Sequence, residues 1–361
     1  MKILHIHPSM AGGGIEAIIC ALLNEMVERH DVTMATIFAP KDSDVFEKKL
    51  DKRIKRISLG KVNPGFSLSE IFKIFRLIRK GNYDVVHIHG FFYYYALSVL
   101  LLHHKVKFFY TIHSDAIMEN VTWDKRFLWL KRICFVRKYI HPVTISPASQ
   151  ESFTKLYKTR SSLICNGVPK PTITATENPL VQYKITPSTK FFIHAGRINV
   201  AKNQVVLCRS FSRLINNGYD AVLLIAGGNH DEAIMQQLQP FFGDRIVYLG
   251  ERNDIPTLFH FADAMCLPSI WEGLPVTLLE SLAVGCVPIC SPVGGIVNVV
   301  THGYNGLLSQ DSSESSYYKT LEEYMLMTEE DRKEMRKHCI ESFAPYDIKQ
   351  TAAQYELAYT R

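Results

Sequence analysis

The chain has 361 residues, of which 47% are hydrophobic and 21% charged; this excludes a disordered chain or a coiled coil and is long enough for two globular domains of about 100–200 residues each. Its net charge of +6 hides an asymmetry, with 26 Lys+Arg against 14 Asp+Glu (+12) in residues 1–170 and 15 against 21 (−6) in residues 171–361. A basic first half suits an anionic partner such as a membrane surface, a nucleic acid or an acidic substrate.

The opening MKILHIHPSMAGGG lacks the apolar core and cleavage site of a signal peptide and reads as a first strand, followed by a helix that starts at Ile15 or Glu16. Gly12, Gly13 and Gly14 lie between the two, where missing side chains let backbone N–H groups approach a phosphate; a tight turn explains them equally well. Further strands are VTMATIF, VVHIHG, KFFYTIH, PVTIS and SLIC, alternating with stretches of helical periodicity such as IEAIICALLNEMVERH and SEIFKIFRLIRKG. FFYYYALSVLLL is shorter than the roughly 20 residues needed to cross a bilayer, so no membrane-spanning helix is predicted. His87 and His89 share one strand face and read as structural; His113 stands just past a strand end, where an imidazole can donate to a sugar hydroxyl or accept a proton, but taken alone it reads more readily as a satisfied core or surface histidine. Between Thr122 and His141, Lys125, Arg126, Lys131, Arg132, Arg137 and Lys138 interleave with Trp123, Phe127, Trp129, Phe135 and Tyr139. A helix so built suits either an anionic membrane surface or a packed core with a solvated basic face.

A proline-rich polar stretch, PKPTITATENPLVQYKITPS, reads as a linker. The alternation then restarts with strands KFFIHAG, AVLLIAGG, RIVYLG, AMCLPS and VPICS and the helices VVLCRSFSRLINNG, IPTLFHFA and VTLLESLAVG. The predicted fold is therefore α/β, with two doubly wound, Rossmann-like domains over residues 1–170 and 171–345 and ligands beyond the carboxyl ends of their strands. The eight cysteines contain no C-x-x-C pair and read as small buried hydrophobes in a reducing, cytoplasmic setting.

In the second half, Arg197 and Lys202 follow a strand end in HAGRINVAKNQ and offer a planar fork and a point charge for a diphosphate. The segment SIWEGLPVTLLESLAVG places Glu272 in a loop and Glu280 inside the helix that Pro275 opens, about 8 Å along its axis. Backbone N–H groups over Gly273, Leu274, Pro275, Val276 and Thr277, except at the proline, would face phosphates. Gly294-Gly295, after the next strand, reads either as a ligand approach or as a packing turn.

Taken together, GGGIE, DVVHIHG, TIHSD, ICNGV, AGRINVAKN, the block from LGERNDIP to GCVPI with its E-x7-E pattern, and PVGG followed by GYNGLL resemble the retaining glycosyltransferases of family 4, which have the GT-B fold. The resemblance implies an interdomain ligand cleft, a helix over residues 346–361 that returns to the first domain, and a hexose-type transfer from a nucleotide-sugar, UDP above all, to a glycan or lipid-linked acceptor in surface polysaccharide synthesis. Under it, Glu272 holds donor-sugar hydroxyls and Glu280 the ribose, Arg197 and Lys202 the diphosphate, Gly13 or Gly14 the phosphate from the other domain, and His113 the sugar near its reacting carbon, with Arg252 near the base. No cofactor is expected. No D-x-D metal motif is read in the chain, so Arg197 and Lys202 are expected to replace a divalent ion. The implied partners are the donor, the acceptor and an anionic membrane surface met through Lys125, Arg126, Trp129, Lys131 and Arg132 at the inner face; nucleic acid is not among them. Asn298 departs from the family pattern where an acidic residue is frequent, as do Pro169 and Ala17 at less critical positions. A nucleotide-sugar epimerase of the same fold, or a non-catalytic sugar-nucleotide- or glycan-binding subunit, is the alternative.

Overall fold

A computed structural model describes residues 1–119, 123–173 and 175–361, and of residues 123 and 124 the backbone alone. The chain divides into two compact units, Met1–Pro169 with Tyr346–Arg361, and Lys170–Pro345.

In the first unit the described strands are β1 (Lys2–His7), β2 (Asp31–Phe38), β3 (Lys55–Lys61), β4 (Val85–Ile88), β5 (Lys107–Ile112), β6 (His141–Thr144) and β7 (Ser162–Leu163). They form one sheet in the order β3-β2-β1-β4-β5-β6-β7, every pair parallel. Its helices are α1 (Gly14–Met26), α2 (Val45–Lys49), α3 (Leu68–Gly81), α4 (Ala96–Leu102), α5 (Trp123–Arg126), α6 (Leu128–Val136) and α7 (Pro147–Tyr157). Helices cover both faces, so the central strands are continuous buried runs: β1, β4 and β5 bury nearly every residue. The edge strand β3, KRISLGK, is mostly exposed and polar, which protects the edge and hides the strand from a search for apolar runs. One core cluster, around Phe92, Tyr95, Phe108 and Phe135, lies on one face. A second, around Ile19, Leu23, Met34 and Val143, lies on the other.

Two details differ from the sequence reading. Helix α1 begins at Gly14, one residue earlier, because Gly13 already has the extended conformation of an N-cap. The segment from Thr122 to His141 is not one helix: Thr122 lies outside the described residues, α5 and α6 are separated at Phe127, and α6 ends before Lys138, whose φ of 57° leaves the helical region.

The second unit repeats the plan with β8 (Lys190–Ala195), β9 (Ala221–Ala226), β10 (Ile246–Gly250), β11 (Ala264–Leu267), β12 (Val287–Cys290) and β13 (Leu307–Leu308) in the order β10-β9-β8-β11-β12-β13, again parallel. Around it pack α8 (Gln204–Asn216), α9 (Glu232–Leu238), α10 (Ile255–Phe261), α11 (Val276–Ala283), α12 (Glu314–Leu326) and α13 (Glu329–Ser342).

The chain then re-enters the first unit. Val168 and Asp347 bridge in parallel, and Gly167 packs so closely that a Cβ there would lie 2.4 Å from Oγ1 of Thr351. Helix α14 (Ile348–Thr360) follows, started by Asp347, whose side chain accepts from the Lys349 N–H. From it, Tyr359 reaches His87 (2.6 Å) and Tyr355 reaches Thr111 (3.1 Å), pinning the helix to strands β4 and β5. Seven of the eight cysteines are buried, Cys165 being half-buried, and all are free thiols. Among the described residues no helix is long and apolar enough to cross a membrane.

Candidate functional site

In the second unit the functional side chains follow the carboxyl ends of β8 and β11, where parallel α/β sheets place ligands. After β8 the chain turns through Arg197, which is exposed, and enters a short turn capped by Asn199, whose Oδ1 accepts from the Lys202 N–H (3.2 Å). The buried Gln204 donates to the Arg197 carbonyl (2.9 Å) and meets Nε2 of His194 (3.1 Å), so the backbone carrying Arg197 is held from below. His194 is fully buried, and burial pushes its pKa down to about 4.

The loop after β11 is tied to that turn by the Ile270 N–H donating to the Ala201 carbonyl (2.8 Å). This brings Lys202 and Glu272 together: Nζ lies 2.5 Å from Oε1, both side chains are mostly buried, and Ser269 Oγ donates to the same oxygen at 2.7 Å. Leu274 is buried, and Pro275 is the N-cap of α11 and not its first helical residue. Val276 and Thr277 form the first turn, in which Oγ1 of Thr277 is buried without a hydrogen-bond partner among the described residues. Glu280 sits half-buried in the second turn of α11.

Gly294 and Gly295 decide between the two sequence readings of their turn. A Cβ on Gly294 would lie 1.8 Å from the Glu272 carbonyl oxygen, and one on Gly295 2.2 Å from that of Gly273. The Gly295 N–H also donates to Gly273 (2.6 Å). The pair is therefore the backing of the Glu272–Gly273 loop. Arg252 is exposed, with its fork engaged bidentately by Asp254 at 2.9 and 2.6 Å.

In the first unit, Glu16 folds back beneath Gly13, where an added Cβ would lie 2.4 Å from Oε2, and faces Nε2 of His7 at 3.4 Å. Close by is a pocket of about 160 Å³, lined by His7, Pro8, Ile15, Gly90, Phe91 and His113 among others. Ile15, in the first turn of α1, and His113 thus border one pocket.

His113 is not isolated. Its Nε2 meets Nδ1 of His89 at 2.9 Å, and Nε2 of His89 meets Nδ1 of His5 at 3.1 Å. His5 and His87 are register partners on β1 and β4, and both are buried together with His89, which follows β4. Burial lowers the pKa of His5 and His113 to about 3, and those of His87 and His89 well below the usual value. The imidazoles of His5, His87 and His89 are close enough to suggest a metal centre, with candidate ligand atoms within 4.8 Å of one another. Yet both His87 nitrogens are engaged, Nδ1 by Tyr359 and Nε2 by Thr111 (2.7 Å). The imidazoles stack on one another, and His87 is already held by Tyr359 and Thr111.

The basic segment needs one correction. Lys125, Arg126, Trp129 and Arg132 are exposed, Trp129 at 64%, and Ile133 and Val136 extend their face. Lys131 is 1% exposed: it shares the inward stripe of α6 with Cys134 and Phe135, donates to the Tyr110 hydroxyl (3.0 Å) and lies 4.2 Å from the Tyr110 ring centre. It cannot meet a membrane from there. A second correction concerns D-x-D: Asp42-Ser43-Asp44 has that spacing. It sits in the loop before α2, where buried Asp44 accepts from the Lys41 N–H (3.0 Å) and the surrounding pocket also holds Lys48 and Arg56.

Sequence reasoning missed Ser269, Gln204 and the link from His89 to His113. The last left a trace, since LHIHP and VHIHG repeat H-x-H on neighbouring strands. The other two depend on contacts between distant segments and leave none.

Two family models match the chain, Glycosyltransferase Family 4 over residues 12–170 and Glycosyl transferases group 1 over residues 177–342. An Escherichia coli relative, UDP-Gal:alpha-D-GlcNAc-diphosphoundecaprenol alpha-1,3-galactosyltransferase, is 24% identical over 70% of this chain and 69% of its own length. Alignments to the first curated relatives span between 47% and 69% of those proteins. Among solved structures, a glycosyltransferase from Rickettsia africae has a TM-score of 0.83 at 18% identity, covering 99% of this chain and 97% of the other. Anabaena HepE, solved with UDP and glucose, has a TM-score of 0.80 at 18% identity over 100% and 99%.

Proposed function

This chain belongs to the family 4 glycosyltransferases of GT-B fold, and from that premise we propose that it transfers a hexose-type sugar from a UDP-sugar to a lipid-linked or glycan acceptor, with retention of configuration and without a metal. The acceptor class is argued from the E. coli relative, whose name specifies a diphosphoundecaprenol-linked substrate, and the donor base from the UDP held by HepE. The role is a step in bacterial surface polysaccharide synthesis, of capsule or lipopolysaccharide type, at the cytoplasmic face of the membrane. The exposed residues Lys125 and Arg126 of α5 and Trp129 and Arg132 of α6 support contact with anionic lipid by their charge and the interfacial tryptophan.

The observation that carries the reading is the Lys202–Glu272–Ser269 cluster beside the start of α11, with Arg197 on the same turn. In the reaction the bond between the anomeric carbon and the diphosphate oxygen breaks, and a bond to the acceptor oxygen forms on the same sugar face. The acceptor proton passes to the departing phosphate. Negative charge grows on the diphosphate, where Arg197, Lys202 and the N–H groups from Gly273 to Thr277 (Pro275 excepted) stabilise it. The unpartnered Thr277 hydroxyl supports a phosphate oxygen at this helix start. Glu272 is assigned to donor-sugar hydroxyls, Glu280 to the ribose, Arg252 to the neighbourhood of the base, Gly13 and Gly14 to phosphate, and His113 to the sugar.

The test is thermal stabilisation by a panel of nucleotide sugars, followed by transfer to a diphosphoundecaprenol-linked sugar. A ligand at 100 times its Kd adds about 2.7 kcal/mol. A UDP-sugar is expected to raise Tm most, and Lys202→Met to abolish the shift; equal indifference to every nucleotide sugar would overturn the reading.

A further inference from the structure

Helices α3, α4 and α6 form one layer on a face of the first sheet: α4 packs against both of the others, and all three supply one core cluster, through Ile74, Ile78, Val99, Leu102, Cys134 and Phe135. A helix whose apolar stripe is buried in this way normally turns a polar back to water. These three do not. On α3, Leu68 (62% exposed), Phe72 (61%), Arg76 and Arg79 fall at i, i+4, i+8 and i+11, a second stripe on the side away from Ile74 and Ile78. On α6, Trp129, Arg132, Ile133 and Val136 recur at i, i+3, i+4 and i+7, the spacing of a core-facing stripe, yet all four are exposed. Between these stripes in the chain, α4 exposes Leu100 and Leu101.

The charge on this layer has one sign. Among the described residues of the three helices the sole acidic side chain is Glu70, which is 4% exposed and bonded to Lys73 at 2.9 Å. That decides between occupants. A second copy placed face to face would set Arg76, Arg79 and Arg132 against their own counterparts, because a two-fold contact uses the same patch on both partners. A nucleic-acid duplex offers phosphates to the arginines but leaves Leu68, Phe72 and Trp129 without an apolar counterpart. An anionic bilayer accepts both sets, the cations among its headgroups and the apolar side chains at the acyl boundary.

We propose that the outer surface of the α3, α4 and α6 layer is seated on an anionic bilayer, with Leu68 and Phe72 of α3 inserted beside Arg76 and Arg79. The seat widens the lipid contact proposed above from one basic segment to a whole face of the first unit, and it rests on that reading. Binding then has two parts: attraction of the arginines, which salt screens, and burial of the apolar side chains, which salt does not screen.

The experiment sediments the full chain with phosphatidylglycerol vesicles at low and at high salt. Arg76→Gln combined with Arg79→Gln is expected to weaken binding about 30-fold at low salt and to match the wild type at high salt. Leu68→Ser combined with Phe72→Ser is expected to weaken it about tenfold or more at both salts, with Tm nearly unchanged because both side chains are exposed. The control is Leu357→Ser, an exposed apolar position on α14, which packs into the core cluster of the opposite sheet face; it should bind as the wild type does. Wild-type affinity in both α3 variants overturns the seat. If loss of Lys125, Arg126 and Arg132 still releases that protein from vesicles, the narrower contact through α5 and α6 survives it. A wild-type chain that ignores vesicles and forms a dimer which Leu68→Ser with Phe72→Ser splits also overturns the seat, in favour of a second copy. Expected vesicle binding by a chain that transfers sugar from no nucleotide donor supports the seat and removes the proposed reaction instead.

Discussion

Nζ of Lys202 lies 2.5 Å from Oε1 of Glu272, joining a turn after β8 to a loop after β11 across 70 residues of sequence. The pair is preformed and largely shielded, with 19% and 11% of the two side chains exposed. Lys202→Met leaves Glu272 with Ser269 as its remaining recorded partner and is expected to cost about 1–2 kcal/mol of stability. Adding Glu272→Gln should recover part of that, giving a coupling of about 1 kcal/mol in a urea double-mutant cycle. Each single change should lower kcat about 100-fold, because the first removes charge from the diphosphate and the second from the sugar site. Additive melts would mean that the pair does not act as one unit.

The glycines behind the Glu272 loop lead to a second prediction. Gly294 has φ +54° and would drive a Cβ to 1.8 Å from the Glu272 carbonyl, so Gly294→Ala must displace the loop. The expected result is a loss of more than about 2 kcal/mol and a tenfold or larger drop in donor affinity. Gly303, at φ +76° with no atom within 4 Å of an added Cβ, is the control. Gly303→Ala should cost about 1–2 kcal/mol and leave donor affinity alone, measured by melting and by titration.

Much of this arrangement was legible in the chain, for identifiable reasons. Buried parallel strands read as apolar runs, unbroken in β9 and interrupted after Lys107 only by Thr111 in β5, so both sheets announce themselves. β3 is polar because it is an edge, and β13 is two residues long, so neither stands out. The positions of Arg197, Lys202 and Glu272 follow from strand ends, but the contact between Lys202 and Glu272 does not. Lys131 shows the limit clearly: alternating basic and aromatic residues leave the register of α6 open. Its inward partner is Tyr110, which stands 21 residues earlier on strand β5.

Acid should unfold the protein earlier than its carboxylates alone would require. His5 and His113 are lowered to about 3 and His194 to about 4 by burial, with His87 and His89 shifted the same way. The unfolded chain takes up these protons below about pH 6.5 and the folded chain does not, so the stability is fully present above that pH and is lost toward pH 3. Each histidine contributes a slope of up to about 1.4 kcal/mol per pH unit. Carboxylates add their own loss only lower: Glu70, raised by burial but held by Ser67, Lys73 and Ser69, stays ionised to about 2. Urea midpoints between pH 7 and 5 should therefore fall steeply, and a flat profile there would contradict the neutral histidine chain.

Helix α6 separates two kinds of basic residue that the sequence presents as one. Arg132 points outward beside Trp129 and Ile133, whereas Lys131 is enclosed against Tyr110. Basic residues near an anionic bilayer are worth about 1 kcal/mol each, so removing the charges of Lys125, Arg126 and Arg132 together should weaken binding to phosphatidylglycerol vesicles about 100-fold, with Tm nearly unchanged. Lys131→Ala should do the reverse. It removes a buried hydrogen bond and a packed alkyl stem, lowering stability by about 2–3 kcal/mol, and leaves vesicle affinity of the folded fraction as it was. Sedimentation with vesicles at low and high salt reads the first effect, since only the surface charges are screened, and thermal melting reads the second. If the triple variant bound vesicles as the wild type does, the basic residues of α5 and α6 would have to be assigned to solvent, and membrane contact would lose its structural support.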